Sequence, residues 1–442
     1  MHFTKSIALA ILAFCASSAT ADQCGRGSEL SGGNYYCQEV KSLQYSNVGH
    51  DGSYNEVTQM TGGACSSKPH AYSGSLAPLN EEVSLHFRGP MHLKKVAAYT
   101  KTGGGAKKRD AKGGPHSRRH LGHQKFHEKE KRADWVTATI DGQVVSWENN
   151  WFGEPTPAPA APAAAAAAET PAAAAPVGPA AKVAAAPAKL NAEVKAASKA
   201  VDPNAAYTRV GYYDASAGVA DGLTFLGNYG GQGSGVFDNN YGNSLSYLNA
   251  DGNGGSSSPT VLKDKLIRSN EEFTIFTDRE CSGGDCGYVR PGTVAYHGFD
   301  GGDKIFMFEF DMPHDGNNGF NGDMPAIWML NAQIPRTLQY GEASCSCWDS
   351  GCGEFDIVEV LSPGEERCKS TLHTNKPGGS SDYIRRPTNG LMKVAVIMNS
   401  ADGTINVQVL PDGQDFPGSL SAGEVNNLLS LHSGNDVSLF SV

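Results

Sequence analysis

The C-terminal half of the chain carries the period-two pattern of strands. Glu272-Phe-Thr-Ile-Phe-Thr277, Lys304-Ile-Phe-Met-Phe-Glu-Phe310 and Lys393-Val-Ala-Val-Ile-Met398 alternate or are continuously apolar. Asp402-Gly403 then turns the chain into Thr404-Ile-Asn-Val-Gln-Val-Leu410, which predicts a β-hairpin. Helical periodicity is nearly absent. Many short strands with Gly-rich connections predict an all-β domain over residues 204–442, a β-sandwich or jelly roll. A second hairpin is predicted upstream, with Trp135–Ile140 and Gln143–Trp147 joined by Asp141-Gly142.

Between these patterned stretches the composition changes sharply. Residues 154–203 are almost entirely Ala and Pro, and the repeated prolines prevent one continuous helix. They read as a semi-rigid linker between two independent units. Residues 22–100 are Gly-, Tyr- and Ser-rich with three cysteines, and predict a small Gly-rich β domain. The hairpin at 133–153 closes it. Residues 101–132 hold eleven Lys/Arg against three acids, a local charge of +8 within a chain of net −10, so the remainder carries −18. Four histidines share that stretch, and with few apolar residues it is expected to be disordered. Its last basic pair, Lys131-Arg132, resembles the dibasic sites cut by kexin-like proteases. A plain solvated loop and His-rich metal capture are the other readings.

The first 21 residues combine Lys5, an apolar run from Ile7 to Phe14 and Ala19-Thr20-Ala21, which reads as a secretory signal peptide. A secreted, extracellular protein is expected, with no membrane span. The acidic balance argues against nucleic-acid binding. Nine cysteines follow Cys15, and in an oxidising compartment most are expected in disulfides. Cys281 and Cys286 enclose a Ser-Gly-Gly-Asp turn and form the best single pair. An odd number leaves one cysteine free or paired with another molecule.

The chemistry concentrates in Gly353-Glu354-Phe355-Asp356-Ile357-Val358-Glu359-Val360. On a regular strand Glu354 and Asp356 share a face, and Glu359 has the wrong parity. One β-bulge between Asp356 and Glu359 brings all three acids together. Clustered carboxyls raise at least one pKa, leaving a protonated acid beside an ionised one. Glycoside hydrolysis needs such a pair, about 5–5.5 Å apart in the retaining mechanism. A Ca²⁺ cluster and a solvated acidic strand are the alternatives.

Glu354-x-Asp356-x-x-Glu359 resembles the signature of family 16 glycoside hydrolases, the laminarinase-like group. Met324-Pro-Ala-Ile-Trp328-Met-Leu330 resembles their upstream W-P-A-I-W-L-L strand, with Met for the first Trp, and Ser370-Thr-Leu-His373 resembles a downstream S-x-x-H strand. The layout is also similar to the fungal "target of SBF" cell-wall proteins, which join a Cys-containing N-terminal domain to a laminarinase-like domain. The resemblance implies a concanavalin-like jelly-roll sandwich with a β-glucan cleft, and it calls for no cofactor and no metal. It casts Glu354 as nucleophile, Glu359 as general acid/base and Asp356 as the group between them. Trp328 is expected to stack on a sugar ring or serve as a core side chain, and His373 to neighbour the acids or be structural. Trp348 joins the substrate-binding set. It lies in an insert, Asn331 to Gly351, that departs from laminarinases and narrows the cleft or changes its subsites. The function implied is a retaining endo-β-1,3-glucanase or glucan transglycosylase. The alternative is a non-catalytic glucan-binding wall protein. Oligomeric state stays open.

Overall fold

The computed structural model describes Cys24, residues 27–103 and 204–442, and the backbone of the hairpin strands Trp135–Ile140 and Gln143–Glu148. The predicted signal peptide, Lys131, Arg132 and the Ala/Pro stretch lie outside these residues. Two large sheets, antiparallel except for the parallel pair Ser42–Ser46 with Val437–Ser441, pack face to face. The back sheet runs Val219–Asp221, Ala205–Asp214, His92–Lys101, Lys304–Asp311, Met392–Asn399, Thr404–Leu410, Ser42–Ser46, Val437–Ser441. The front sheet runs Gly255–Ser256, Ser246–Leu248, Leu223–Gly227, Glu272–Thr277, Val83–Arg88, Ala326–Asn331, Glu354–Val360, Arg367–His373, Gly378–Gly379. The expected all-β sandwich is therefore present, and the strands at 272–277 and 404–410 have the predicted bounds.

The core between the sheets explains the pattern. Phe87, Phe225, Phe273, Phe308, Ile327, Phe355 and Val396 meet there, all at most 2% exposed. Phe87 and Phe273 stack at 4.9 Å across neighbouring front strands. Each such ring removed from water contributes about 1.5–3 kcal/mol. Front-sheet strands turn alternate residues toward this core, so their other residues must line the opposite face.

The separation into two independent units does not hold. The N-terminal stretch does form two hairpins of its own, Glu29–Ser31 with Asn34–Tyr36 and Gly52–Thr61 with Ala64–Tyr72. Its remaining strands belong to the large sheets. Val83–Arg88 lies between Glu272–Thr277 and Ala326–Asn331 in the front sheet. His92–Lys101 lies between Ala205–Asp214 and Lys304–Asp311 in the back sheet. Lys101 pairs with Tyr207, and the Thr102 amide donates to the Ala206 carbonyl at 2.8 Å. The long stretch from 104 to 203 thus leaves and re-enters at adjacent strands of one sheet. It interrupts one sandwich rather than joining two.

Disulfides fasten this arrangement. Cys281 pairs with Cys286 as expected, and Cys24 with Cys37. Cys65 pairs with Cys345, tying the hairpin at 52–72 to the C-terminal half, and Cys347 pairs with Cys352. The odd cysteine is Cys368, free and buried in the core. Two α-helices among the described residues escaped the sequence reading, Gln333–Thr337 and Ala422–Leu429; in the second a capping box joins Ser421 and Glu424.

Candidate active site

The acid strand Glu354–Val360 contains the predicted bulge. Asp356 faces Thr371 and Glu359 faces Lys369, so three steps on this strand match two on its neighbour. The register against Ala326–Asn331 shifts at the same point. Phe355, Ile357, Val358 and Val360 all enter the core, and the two consecutive inward residues mark the bulge. Glu354, Asp356 and Glu359 consequently share the outer face, each no more than 8% exposed. Gly353 leads into the strand with φ of +112°, and a Cβ there would meet Leu79 Cδ2 at 2.9 Å. Only glycine suits that entry.

Each acid has its own partner. The Trp348 indole N–H donates to Glu354 Oε2 at 2.5 Å. Trp348 begins a short 3₁₀ turn, Trp348–Ser350, bracketed by the buried Cys347–Cys352 disulfide. Ser350 Oγ also accepts from the Asn55 amide at 2.9 Å, so the N-terminal hairpin props the turn. His373 Nε2 lies 3.0 Å from Asp356 Oδ2. One ligand atom each of Glu354, Asp356 and His373 falls within 4.8 Å of the others. Burial foremost, then the charges of Glu359 and Glu354, pushes the Asp356 pKa up to about 8 against the opposing pull of His373. Asp356 therefore favours its protonated form, as clustering of carboxyls dictates for one of its members.

Glu359 is held by a residue the sequence reading did not single out. Arg88 Nη2 donates to Glu359 Oε1 at 3.1 Å, and Arg88 Nη1 lies 3.7 Å from Glu272 Oε1. Arg88 Nε is anchored on the Met324 carbonyl at 2.7 Å. The alternation Val83-Ser-Leu-His-Phe-Arg88 marks a strand with one polar face, yet gives no hint that this face adjoins acids some 270 positions away. His86 on the same face is buried, which lowers its pKa to about 3 and keeps it neutral.

The aromatic expectations divide. Trp328 is 5% exposed, with its ring 5.3 Å from His86 and packed among Leu330, Cys347 and Cys352. It lies on the same outer face as the acids, opposite Asp356 and with the Arg88 guanidinium 5.8 Å from its ring, and is almost wholly buried. Trp348 is 37% exposed, with its ring 6.2 Å from His373. It is the exposed tryptophan beside the acids.

Both halves of this construction match known families. The model described as "Cell wall protein YJL171C/Tos1, C-terminal" matches residues 205–428, and its N-terminal counterpart matches residues 41–101. The chain belongs to the Tos1/YJL171C family of cell-wall proteins. Its relatives in this family include a protein of Arthroderma benhamiae named "Probable circularly permuted 1,3-beta-glucanase", 42% identical over 97% of each chain. The proteins named "Probable circularly permuted 1,3-beta-glucanase TOS1" are also similar: that of Candida albicans is 39% identical over 96% of this chain and 97% of its own. That of Saccharomyces cerevisiae is 40% identical over 92% and 94%. No solved structure matches. The two matched Tos1 segments are the same two runs of sequence that interleave in the sheets.

Proposed function

We propose that this Tos1-family chain is a retaining β-1,3-glucan glycosidase that acts on the fungal cell wall. The observation that carries the reading is the bulge that turns Glu354, Asp356 and Glu359 to one face with a different partner for each. The relatives' names support the substrate class. Trp348 occupies Oε2 of Glu354, which leaves Oε1 as the oxygen that attacks the anomeric carbon. Glu359 protonates the departing glycosidic oxygen, and Arg88 opposes the negative charge left on its carboxylate. Asp356, neutral, adds no charge of its own beside them. In the second step Glu359 takes a proton from the acceptor as the glycosyl-enzyme bond breaks. Water as acceptor gives hydrolysis, and a sugar hydroxyl gives transfer.

Glu354→Gln is the direct test. Release of reducing ends from laminarin should vanish while laminarin binding persists. NMR of the wild-type products at early times should show the β-anomer first. Wild type and mutant that bind laminarin and are equally inert would replace the enzyme with a glucan-binding protein. Chains longer than the donor, seen by mass spectrometry, would assign transfer.

A further inference from the structure

One pocket in the surface lies away from the acids. This pocket, of about 400 Å³, lies at the far end of the neighbouring strand, lined by Ser31, Glu39, Glu366, Arg367, Tyr383 and Arg385 among others. It opens on the same side of the sheet as the acids. Arg367, Lys369, Thr371 and His373 alternate onto the outer face, while Cys368 and Leu372 enter the core. Arg367 pairs with Arg385, and Ile384 beside it also enters the core. Lys369 faces Glu359 directly. Arg367 therefore stands two residues, about 6.7 Å, along the strand from the position opposite Glu359, and one strand spacing of about 4.8 Å across.

The N-terminal hairpin Glu29–Tyr36 is built into this end of the face. Lys369 Nζ donates to the Tyr35 carbonyl at 3.0 Å, and Ser31 Oγ donates to Glu365 Oε2 at 2.7 Å. The Arg367 guanidinium lies 4.2 Å over the Tyr36 ring and 5.9 Å from that of Tyr383. Tyr35 itself is 57% exposed. The lining charges compensate: Arg385 bridges Glu39 at 3.6 Å and Glu366 at 3.5 Å, and Arg367 lies 2.6 Å from Glu365. No single sign dominates, so the pocket suits neither an anion nor a bare cation. It offers carboxylate acceptors, guanidinium and hydroxyl donors and an aromatic ring, the set that recognises a neutral polyhydroxylated ligand.

We infer that this pocket is a carbohydrate subsite, remote from the bond that breaks, which binds the same glucan chain that reaches Glu359. The inference rests on the glycosidase reading. The exposed pair Glu39 and Arg385 is outside the catalytic machinery, so Glu39→Ala/Arg385→Ala removes recognition and leaves the acids intact. In the full-length Glu354→Gln protein, calorimetry with laminari-oligosaccharides of two to eight units should show affinity rising with length. Adding the pocket substitutions should erase the gain for the longer members, about tenfold, with Kd for the shortest ones unchanged. Glu366→Ala in the same background should act in the same direction. An unchanged length dependence in both variants overturns the subsite. So does equal weakening at every length, or the absence of binding at any length. Wild-type activity on laminarin is measured separately: activity with a length-independent Kd removes the subsite and keeps the glycosidase, whereas inertness removes the glycosidase reading.

Discussion

Trp348 makes the most direct claim on the chemistry. Its indole N–H donates at 2.5 Å to a carboxylate that is only 2% exposed. Trp348→Phe removes the donor and keeps an aromatic ring near His373. A hydrogen bond to a charged group contributes about 1.5–3 kcal/mol, which is roughly 10- to 150-fold in rate. The indole is 37% exposed, so water replaces part of what is lost and the lower portion applies. The expected loss is about 10- to 40-fold in kcat/KM on laminarin, measured as reducing ends released by folded protein. Trp348→Ala, which also removes the ring, should lose more. If Trp348→Phe stays within about threefold of wild type while Trp348→Ala is severely impaired, the ring matters and the hydrogen bond does not. The assignment of Trp348 as the group that orients Glu354 would then be wrong.

Other outcomes follow from the same geometry. Burial and the neighbouring carboxyls raise the Asp356 pKa to about 8, so raising pH through that value adds a negative charge beside Glu354 and Glu359, and kcat should fall. Asp356→Asn cannot ionise and should lack that alkaline limb, whatever its absolute rate; a limb that persists in the variant belongs to another group. Arg88→Gln leaves Glu359 buried without its cation, and denaturant unfolding should report a loss of about 3–5 kcal/mol. A loss under about 1 kcal/mol would mean the pair is effectively solvated. Cleavage after Lys131-Arg132 would divide the chain between Cys65 and Cys345. The two fragments should then co-migrate until the disulfide is reduced, with Ala133 as the new N-terminus. A single chain under reducing conditions rejects the cut.

The acids were legible because strand parity is a local property. Glu354 and Asp356 agree in parity and Glu359 does not, so a single extra residue was the simplest repair, and the register contains it between Asp356 and Glu359. Cys281 and Cys286 were legible for the same reason, since five positions of chain set their geometry. Arg88 was not. Alternation along Val83–Arg88 says that one side of the strand is buried, but the neighbours that give its other side a use are Glu272–Thr277, Ala326–Asn331 and, beyond them, Glu359. Those pairings span about 190 to 270 positions, and no local pattern encodes them.

The Ala/Pro stretch misled for a related reason. Composition identifies residues that cannot join a core, and that property is shared by linkers between domains and by long loops within one. Loop-closure entropy grows only as the logarithm of length, about 0.6 kcal/mol per doubling. Roughly a hundred residues between Thr102 and Asn204 therefore cost little more than fifty would. Strands ending at Lys101 and starting at Ala205 can remain neighbours at that small cost, because the pairing from Lys101–Tyr207 to Lys95–Asp214 returns seven paired positions. A composition break marks residues that cannot join a core. Whether it also bounds a domain depends on which strands flank it, and here those strands lie side by side in the back sheet while Arg88, on the N-terminal side of the break, reaches Glu359 on the other.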